Sequence, residues 1–156
     1  MSPRVLLTIL CVLLMTDFAR ASQCTVTGST TAFGVYSSTG TNPIDTTGKI
    51  TVSCTGTGNV SYVIALSTGA SGTYLTRRMN NTTPTYKLNY NLYVDSARTR
   101  LWGNGTSGTA TISDAYRIPA SGAEVRTYTI YARLAAGQSP LAGGSYLDTI
   151  TVTVTY

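Results

Sequence analysis

The stretch TITVTVTY, residues 149–156, alternates threonine with a larger apolar or aromatic residue at every step. The larger residues are Ile150, Val152, Val154 and Tyr156. A period of two residues is typical of a β-strand with one buried face and one solvated face. The alternation continues through residue 156 without a turn or a charged residue, and an uncapped apolar edge can pair with another chain. A central strand that pairs internally would show the same pattern, so both interpretations stay open.

Similar alternation recurs upstream. It is clearest in residues 86–94, where Tyr86, Leu88, Tyr90, Leu92 and Val94 are interleaved with Lys87, Asn89, Asn91 and Tyr93. Further candidate strands cover residues 32–36, 50–54, 60–66, 109–112 and 128–134, and turn-rich clusters lie at 37–43, 67–72 and 135–140. No window shows a convincing helical period of 3.6 residues. Seven or eight short strands at this spacing predict an all-β sandwich without a second domain.

The composition limits the kinds of catalytic and metal-binding site that the chain can contain. Of 156 residues, 42% are hydrophobic and 11% are charged, against roughly 25% charged in an average soluble domain. Histidine is absent, which excludes Ser-His and Cys-His nucleophiles and a His-ligated zinc. Five isolated carboxylates, Asp45, Asp95, Asp114, Glu124 and Asp148, offer no combination of nucleophile, base and orienting group. We therefore expect no enzymatic activity, no catalytic or metal-binding residues and no cofactor.

The N-terminus has the pattern of a secretory signal peptide. Arg4 precedes an apolar run over residues 5–15, and Ala19-Arg20-Ala21 matches a small-residue cleavage site. The run is well short of the ~20 residues needed to cross a bilayer. We expect residues 1–21 to be removed before Ser22, residues 22–156 to form the mature domain, and no stable membrane insertion afterwards.

Two cysteines remain after this cleavage, Cys24 and Cys54. In an oxidising compartment an even pair of this kind is most simply a disulfide. The chain-entropy model gives such a bridge about 3 to 4 kcal/mol of stabilisation.

The mature chain would carry nine Lys and Arg residues and five carboxylates, a net charge of +4. The basic residues are scattered and form no run denser than a pair, unlike the clustered cations of a nucleic-acid reader. We expect no nucleic-acid partner, while weak electrostatic adhesion to acidic surfaces stays open.

One short motif matches the sequence fingerprint of a nucleotide-binding site. Residues 103–108 read Gly-Asn-Gly-Thr-Ser-Gly and match the G-x-G-x-x-G dinucleotide fingerprint. That fingerprint works only where a strand leads into a helix whose N-terminus meets the pyrophosphate. The following residues, 109–112, predict a further strand, so we expect no nucleotide to bind here.

Three blocks, in this order, resemble a known family. They are Phe33-Gly34-Val35-Tyr36, the stretch from residues 90–95 through Leu101-Trp102-Gly103, and the ending from residue 144 to residue 156. Together with the cysteine pair they resemble the spore coat protein U domain, which occurs in bacterial spore coat proteins and in subunits of archaic chaperone-usher pili. The resemblance covers nearly all of the mature chain. It implies an incomplete immunoglobulin-like, pilin-type β-sandwich that lacks its final strand.

The resemblance also implies partners and residue roles. A periplasmic chaperone would lend the missing strand, and the N-terminal extension of another fibre subunit would replace it at an outer-membrane usher; this is strand addition. Cys24 and Cys54 would form the family's bridge between early strands. The edge that meets the donor strand would be Ile150, Val152, Val154 and Tyr156, and the core or groove lining would include Phe33, Tyr36, Tyr90, Leu92 and Trp102. The implied location is the periplasm in transit, then the cell surface in a pilus or a spore coat.

One departure from the family pattern affects the expected position in a fibre. A subunit in the body of a fibre needs a donor segment ahead of its first cysteine, whereas cleavage before Ser22 would leave only Ser22 and Gln23. We therefore expect a tip or terminal subunit that accepts a strand and gives none. The alternative is a free-standing secreted glycan-binding module with a complete sandwich, using Tyr74, Tyr93 or Trp102 as aromatic platforms.

Overall fold

The computed structural model describes residues 22–81, 86–120, 122–139 and 142–156. The predicted signal peptide, residues 1–21, lies outside this range. The described residues contain nine β-strands and a single turn of 3-10 helix, Gly69–Ser71. The strands are β1 (Gln23–Gly28), β2 (Ile44–Thr55), β3 (Gly58–Leu66), β4 (Arg77–Asn81), β5 (Lys87–Tyr93), β6 (Ile112–Ile118), β7 (Ala123–Leu134), β8 (Tyr146–Leu147) and β9 (Val152–Thr155).

The strands form two antiparallel sheets. The larger has six strands in the order β1-β2-β7-β5-β4-β8, and the smaller has three in the order β6-β3-β9. The twelve-residue strands β2 and β7 run the length of the larger sheet, with Ile44 opposite Leu134 and Cys54 opposite Glu124. This architecture confirms the predicted all-β, pilin-type sandwich. Three described strands, β1, β4 and β8, have no counterpart among the predicted candidates, and β4 and β8 are short pieces without a clear alternation.

The core lies between the sheets and follows the period of two. On the larger sheet it takes the even-numbered residues of β2, β5 and β7, including Ile50, Leu92 and Ile130, and on the smaller sheet those of β3. The intervening residues of β2 and β5 are mainly Thr, Ser, Lys and Asn, and they face solvent or the sheet surface. Because successive side chains of a strand point to opposite faces, the sequence pattern alone predicts which of these residues are buried.

The disulfide prediction is confirmed. Cys24 of β1 and Cys54 of β2 lie directly opposite each other in the strand register and are bonded, closing a loop with a sequence separation of 30. The bridge ties the edge strand β1 to its neighbour β2.

Two strand predictions are wrong. Residues 32–36 form no strand, because Gly34 adopts a left-handed conformation (φ +78°) that interrupts the extended backbone. Residues 109–111 are not in a strand either. Thr109 closes a turn in which its amide and its Oγ1 both donate to Thr106 O, and β6 begins only at Ile112.

Candidate functional site

A groove opens into the core between the segment that follows β1 and the segment that leads into β9. Residues 28–31 and Phe33 form one wall, and residues 146–150 with Val152 form the other. The cavity between them has a volume of about 480 Å³. Its floor consists of core side chains from four strands of the larger sheet and one of the smaller: Ile50, Leu66, Met79, Tyr90, Leu92 and Ile130.

The groove continues along the sandwich into a second cavity of about 860 Å³. The two cavities share Thr30, Thr31, Phe33, Met79, Tyr146 and Leu147, so they are parts of one continuous depression. The second part is bordered by residues 34–38 and by residues 142–147. The floor side chains are themselves buried, with Ile50 at 0% and Leu92 at 4% exposure, so the depression ends on the packed core.

The strand β9 lies at the edge of the smaller sheet. It pairs with β3, with Val152 opposite Leu66 and Val154 opposite Ile64, and its other edge has no neighbouring strand in the described part of the chain. An edge strand presents backbone N–H and C=O groups that can pair with another strand. On the opposite wall, residues 29–36 also lie outside any strand. The outer edge of β9 can therefore offer backbone groups to an added strand, whereas on the opposite wall the Ser29 amide already donates to Lys49 O.

The four residues predicted to form the edge are distributed along this wall. Val152 and Val154 lie in β9 with half-buried side chains, and Ile150 precedes β9 and lines the cavity. Tyr156 follows β9 and is 61% exposed, beside the outer surface of the smaller sheet. That these residues meet the strand of a chaperone or a donor stays a prediction.

The predicted core or groove residues divide between floor, wall and interior. Tyr90 and Leu92 lie on the floor, and Phe33 packs from the wall onto the Tyr90 ring, with the ring centroids 5.9 Å apart. The Tyr36 hydroxyl accepts a hydrogen bond from the Gln138 amide at 2.7 Å. Trp102 is fully buried and its Nε1 donates to Ile64 O at 3.1 Å. A tryptophan in this position cannot serve as an exposed platform for a sugar.

The sequence analysis missed Asp148, which lies in the groove wall. One carboxylate oxygen accepts the Tyr90 hydroxyl at 2.7 Å, and the other accepts the Ala70 amide at 2.9 Å and the Thr149 amide at 2.8 Å. Burial, and then the hydrogen bond to Asp148, raise the pKa of Tyr90 far above its usual value. The carboxylate thus fastens the wall to the groove floor and to the turn that follows β3.

The sequence analysis also missed Arg77, which is fully buried at the start of β4. Its Nε and Nη2 donate to Ser67 O at 3.1 and 2.8 Å, and Nη2 also donates to Trp102 O at 2.7 Å. The guanidinium lies over the Tyr74 ring, 5.4 Å from its centroid, so Tyr74 is engaged inside the molecule. Burial lowers the pKa of Arg77. No sequence pattern marks this arginine, because its acceptors are carbonyl groups of distant loops.

The turn that resembles a nucleotide motif has a structural explanation. A Cβ added to Gly103 would overlap the side chain of Thr109, so a glycine at this position leaves room for that side chain. Gly103 also pairs through its amide with Ala110 O. The glycines serve a tight turn, and a helix N-terminus of the kind that would hold a pyrophosphate does not follow within the described residues.

Within the described residues, 22–81, 86–120, 122–139 and 142–156, no cluster of three or more His, Cys, Asp or Glu residues has the arrangement needed to hold a metal ion. Within them, too, no helix has the length and apolar character needed to cross a membrane.

Comparison with known sequences identifies the family. A sequence model of the spore coat protein U domain matches residues 10–153. The chain belongs to the spore coat protein U domain family. The family assignment agrees with the order of the sequence blocks, with the disulfide between β1 and β2, and with the groove beside β9.

Two relatives of this spore coat protein U domain are informative. Protein U of Myxococcus xanthus is 31% identical over 143 residues, which span 83% of this chain and 73% of that protein. A crystal structure of the CsuC–CsuE chaperone–tip adhesion subunit pre-assembly complex, from archaic chaperone-usher Csu pili of Acinetobacter baumannii, contains a chain with the same fold. The TM-score is 0.59 at 21% identity, and the match covers 87% of this chain and 40% of the length of that chain.

Proposed function

We propose that this protein is a structural or adhesive subunit of a surface fibre or a spore coat, and that it assembles by accepting a β-strand from another chain. Membership of the spore coat protein U domain family supports the coat or pilus setting. The fold shared with a chain from a chaperone-usher pilus complex supports the same class. The protein would be exported, pass through the periplasm and end at the cell surface.

The observation that carries the proposal is the groove. A sandwich that closes its own sheets has a strand over this position, whereas here a groove of about 480 Å³ reaches the buried side chains of Ile50, Leu92 and Ile130. The groove lies beside the edge of β9, which has no neighbouring strand in the described part of the chain. The wall from Tyr146 to Val152 is seven residues long, which corresponds to roughly 23 Å of extended chain. An added strand of about that length would place three or four alternate side chains in the groove.

The chemistry of the groove defines the strand that it would accept. Its floor is apolar apart from the Tyr90 hydroxyl, and that hydroxyl is already bonded to Asp148. Backbone hydrogen bonds to β9 would supply affinity, and apolar side chains at every second position would fill the cavity. A periplasmic chaperone would donate such a strand first, and another fibre subunit would replace it at the outer-membrane usher.

The position in a fibre follows from the predicted cleavage site. If the signal peptide is removed before Ser22, the only residues ahead of Cys24 are Ser22 and Gln23, and Gln23 pairs with Thr55 in the subunit's own sheet. Such a subunit would have no free donor segment, so we place it at the tip or the end of a fibre. N-terminal sequencing of the exported protein tests this, because a long extension before Cys24 would contradict the terminal position.

The experiment compares the exported chain with a version that carries its own donor strand. A seven-residue strand with Ile or Val at alternate positions is joined after Tyr156 through a Gly/Ser linker, and soluble yield, oligomeric state and unfolding midpoint are measured. The matched control carries Asn at the apolar positions. We expect the apolar strand, and not its Asn control, to give a stable monomer with a raised midpoint.

The opposite result has a clear meaning. If the unextended chain is already a monomer with the same midpoint as the extended chain, the groove accepts no strand. The sandwich would then be stable without an added strand. We would instead conclude that the protein is a free-standing secreted glycan-binding module.

A further inference from the structure

The ionic residues are distributed unevenly over the two sheets. The outward positions of β2, β4, β5 and β7 carry Lys49, Arg78, Lys87 and Arg133, with Asp45 as the one carboxylate among these outward strand positions. Arg98 reaches the same surface from the loop after β5, where it contacts Asp45 at 3.2 Å. We name this outer surface of the larger sheet the cationic face; its net charge is +4.

The charge of this face equals the whole net charge of residues 22–156. The other basic residues are Arg77, Arg100, Arg117 and Arg126, and the other carboxylates are Asp95, Asp114, Glu124 and Asp148, so these two groups cancel. Asp45 is itself neutralised on the face, because Arg133 holds it through two hydrogen bonds of 2.7 and 2.8 Å. Asp95, at the border, accepts bonds from Thr99 and Arg100 within its own loop. The fold thus gathers scattered cations into a single positive surface.

The same face carries flat polar and aromatic groups. Tyr93 and Tyr131 lie directly opposite each other on β5 and β7, and the Arg98 guanidinium lies 6.0 Å from the centroid of the Tyr131 ring. Asn91 lies opposite Arg133, and its side-chain amide already donates to Leu75 O. Elsewhere the outward positions of β2 and β7 are largely threonine. From Lys87 to Tyr93 the face extends roughly 20 Å along β5.

We propose that the cationic face binds an acidic polysaccharide. Lysine and arginine recognise carboxylates by charge-assisted hydrogen bonds. The Tyr93 ring offers a rigid amphipathic surface on which a sugar ring can lie. The exposed apolar side chains on or beside this face are Val125, Leu147 and Leu75, and they are spread over β7, β8 and the segment before β4 instead of forming the patch that a membrane surface would engage. The face is also separate from the groove, so a subunit with a bound donor strand could still use it.

The test measures binding of the exported protein to alginate, a polyuronate, with uncharged dextran, anionic phospholipid vesicles and duplex DNA as comparisons. If the protein is recovered with a bound chaperone, that complex is used. We expect binding to alginate alone, weakening as salt is raised because exposed charges are screened. Equal binding to DNA or to the vesicles would overturn the proposal in favour of general adhesion to polyanions, and no binding to alginate would also overturn it.

Matched variants separate the face from the overall charge. Lys49→Glu with Lys87→Glu and Arg100→Glu with Arg117→Glu each bring the net charge from +4 to zero, and all four side chains are exposed. We expect the first pair to weaken alginate binding at least about tenfold and the second to change it little. Tyr93→Ala should also weaken binding, and Tyr93→Phe should retain it. Equal losses in both charge pairs would refute the face as the site, provided that the unfolding midpoints are unchanged.

Discussion

The hydrogen bond between Asp148 and Tyr90 should contribute strongly to the stability of the folded protein, because it holds the groove wall to the floor. Tyr90 is 6% exposed, and its hydroxyl donates to the carboxylate at 2.7 Å. Hydrogen bonds to a charged group are worth about 1.5–3 kcal/mol, and a buried group left without its partner costs about 1–3 kcal/mol. Asp148→Ala should therefore lower the free energy of unfolding by about 3 kcal/mol, because Tyr90 and the amides of Ala70 and Thr149 lose their acceptor.

A double-mutant cycle isolates the pair. Tyr90→Phe alone should cost about 1.5 kcal/mol, and once Asp148 is absent it should cost almost nothing. The double variant should then lose about 3 kcal/mol in place of the additive 4.5, a coupling of about 1.5 kcal/mol. Trp102 is the single tryptophan of the chain and is fully buried, so its fluorescence during urea unfolding reports on the core directly.

The control pair joins Tyr90→Phe with Glu124→Ala. Glu124 lies ten residues along β7 from Leu134, the strand partner of Tyr90, a separation of roughly 33 Å. These two changes should be additive within about 0.5 kcal/mol. If the Asp148 and Tyr90 changes are equally additive, the bond does not stabilise the folded state and the role assigned to Asp148 in the groove wall is wrong.

Three further predictions concern stability. Replacing Cys24 and Cys54 by serine should lower the free energy of unfolding by about 3 to 4 kcal/mol, measured by urea unfolding against the oxidised parent. Gly103→Ala should cost about 1–3 kcal/mol, because its Cβ would overlap Thr109; an unchanged midpoint would show that the turn yields freely. The pKa of Tyr90 is raised on folding, so the unfolded chain loses this proton first, near pH 10, and stability is full below that pH and falls above it. Tyr90→Phe should remove about 1.4 kcal/mol per pH unit of this alkaline slope, and an identical slope in both proteins would contradict the burial of the hydroxyl.

The strands that the sequence predicts well are those whose burial is decided locally. Ile50 and Val52 of β2, and Leu88 and Leu92 of β5, are inward because alternation places them on one face, and the structure confirms them. The resemblance to the spore coat protein U domain supplied the pilin-type fold, which the pattern of strands alone could not distinguish from other sandwiches.

Two of the strands that it missed, β4 and β8, lack such a signal. The residues of β4 read Arg-Arg-Met-Asn-Asn, and the first of them is fully buried because Ser67 O and Trp102 O reach its guanidinium from loops distant in sequence. The opposite error occurs at residues 32–36, which have the sequence pattern of a strand but form none, because Gly34 adopts a left-handed backbone conformation. A hydrophobicity pattern contains no information about hydrogen bonds from distant loops or about the backbone conformation of a single glycine.

The sequence by itself determined the all-β class, the inward faces of the long strands and the pairing of Cys24 with Cys54. These features depend on the backbone period of two and on the number of cysteines in an oxidising compartment, which are local or countable properties. Only the tertiary structure decided that Asp148 meets Tyr90, that a groove reaches the core beside β9, and that scattered lysines and arginines share one face. Each of these depends on contacts between residues far apart in the chain, which arise only when the two sheets pack.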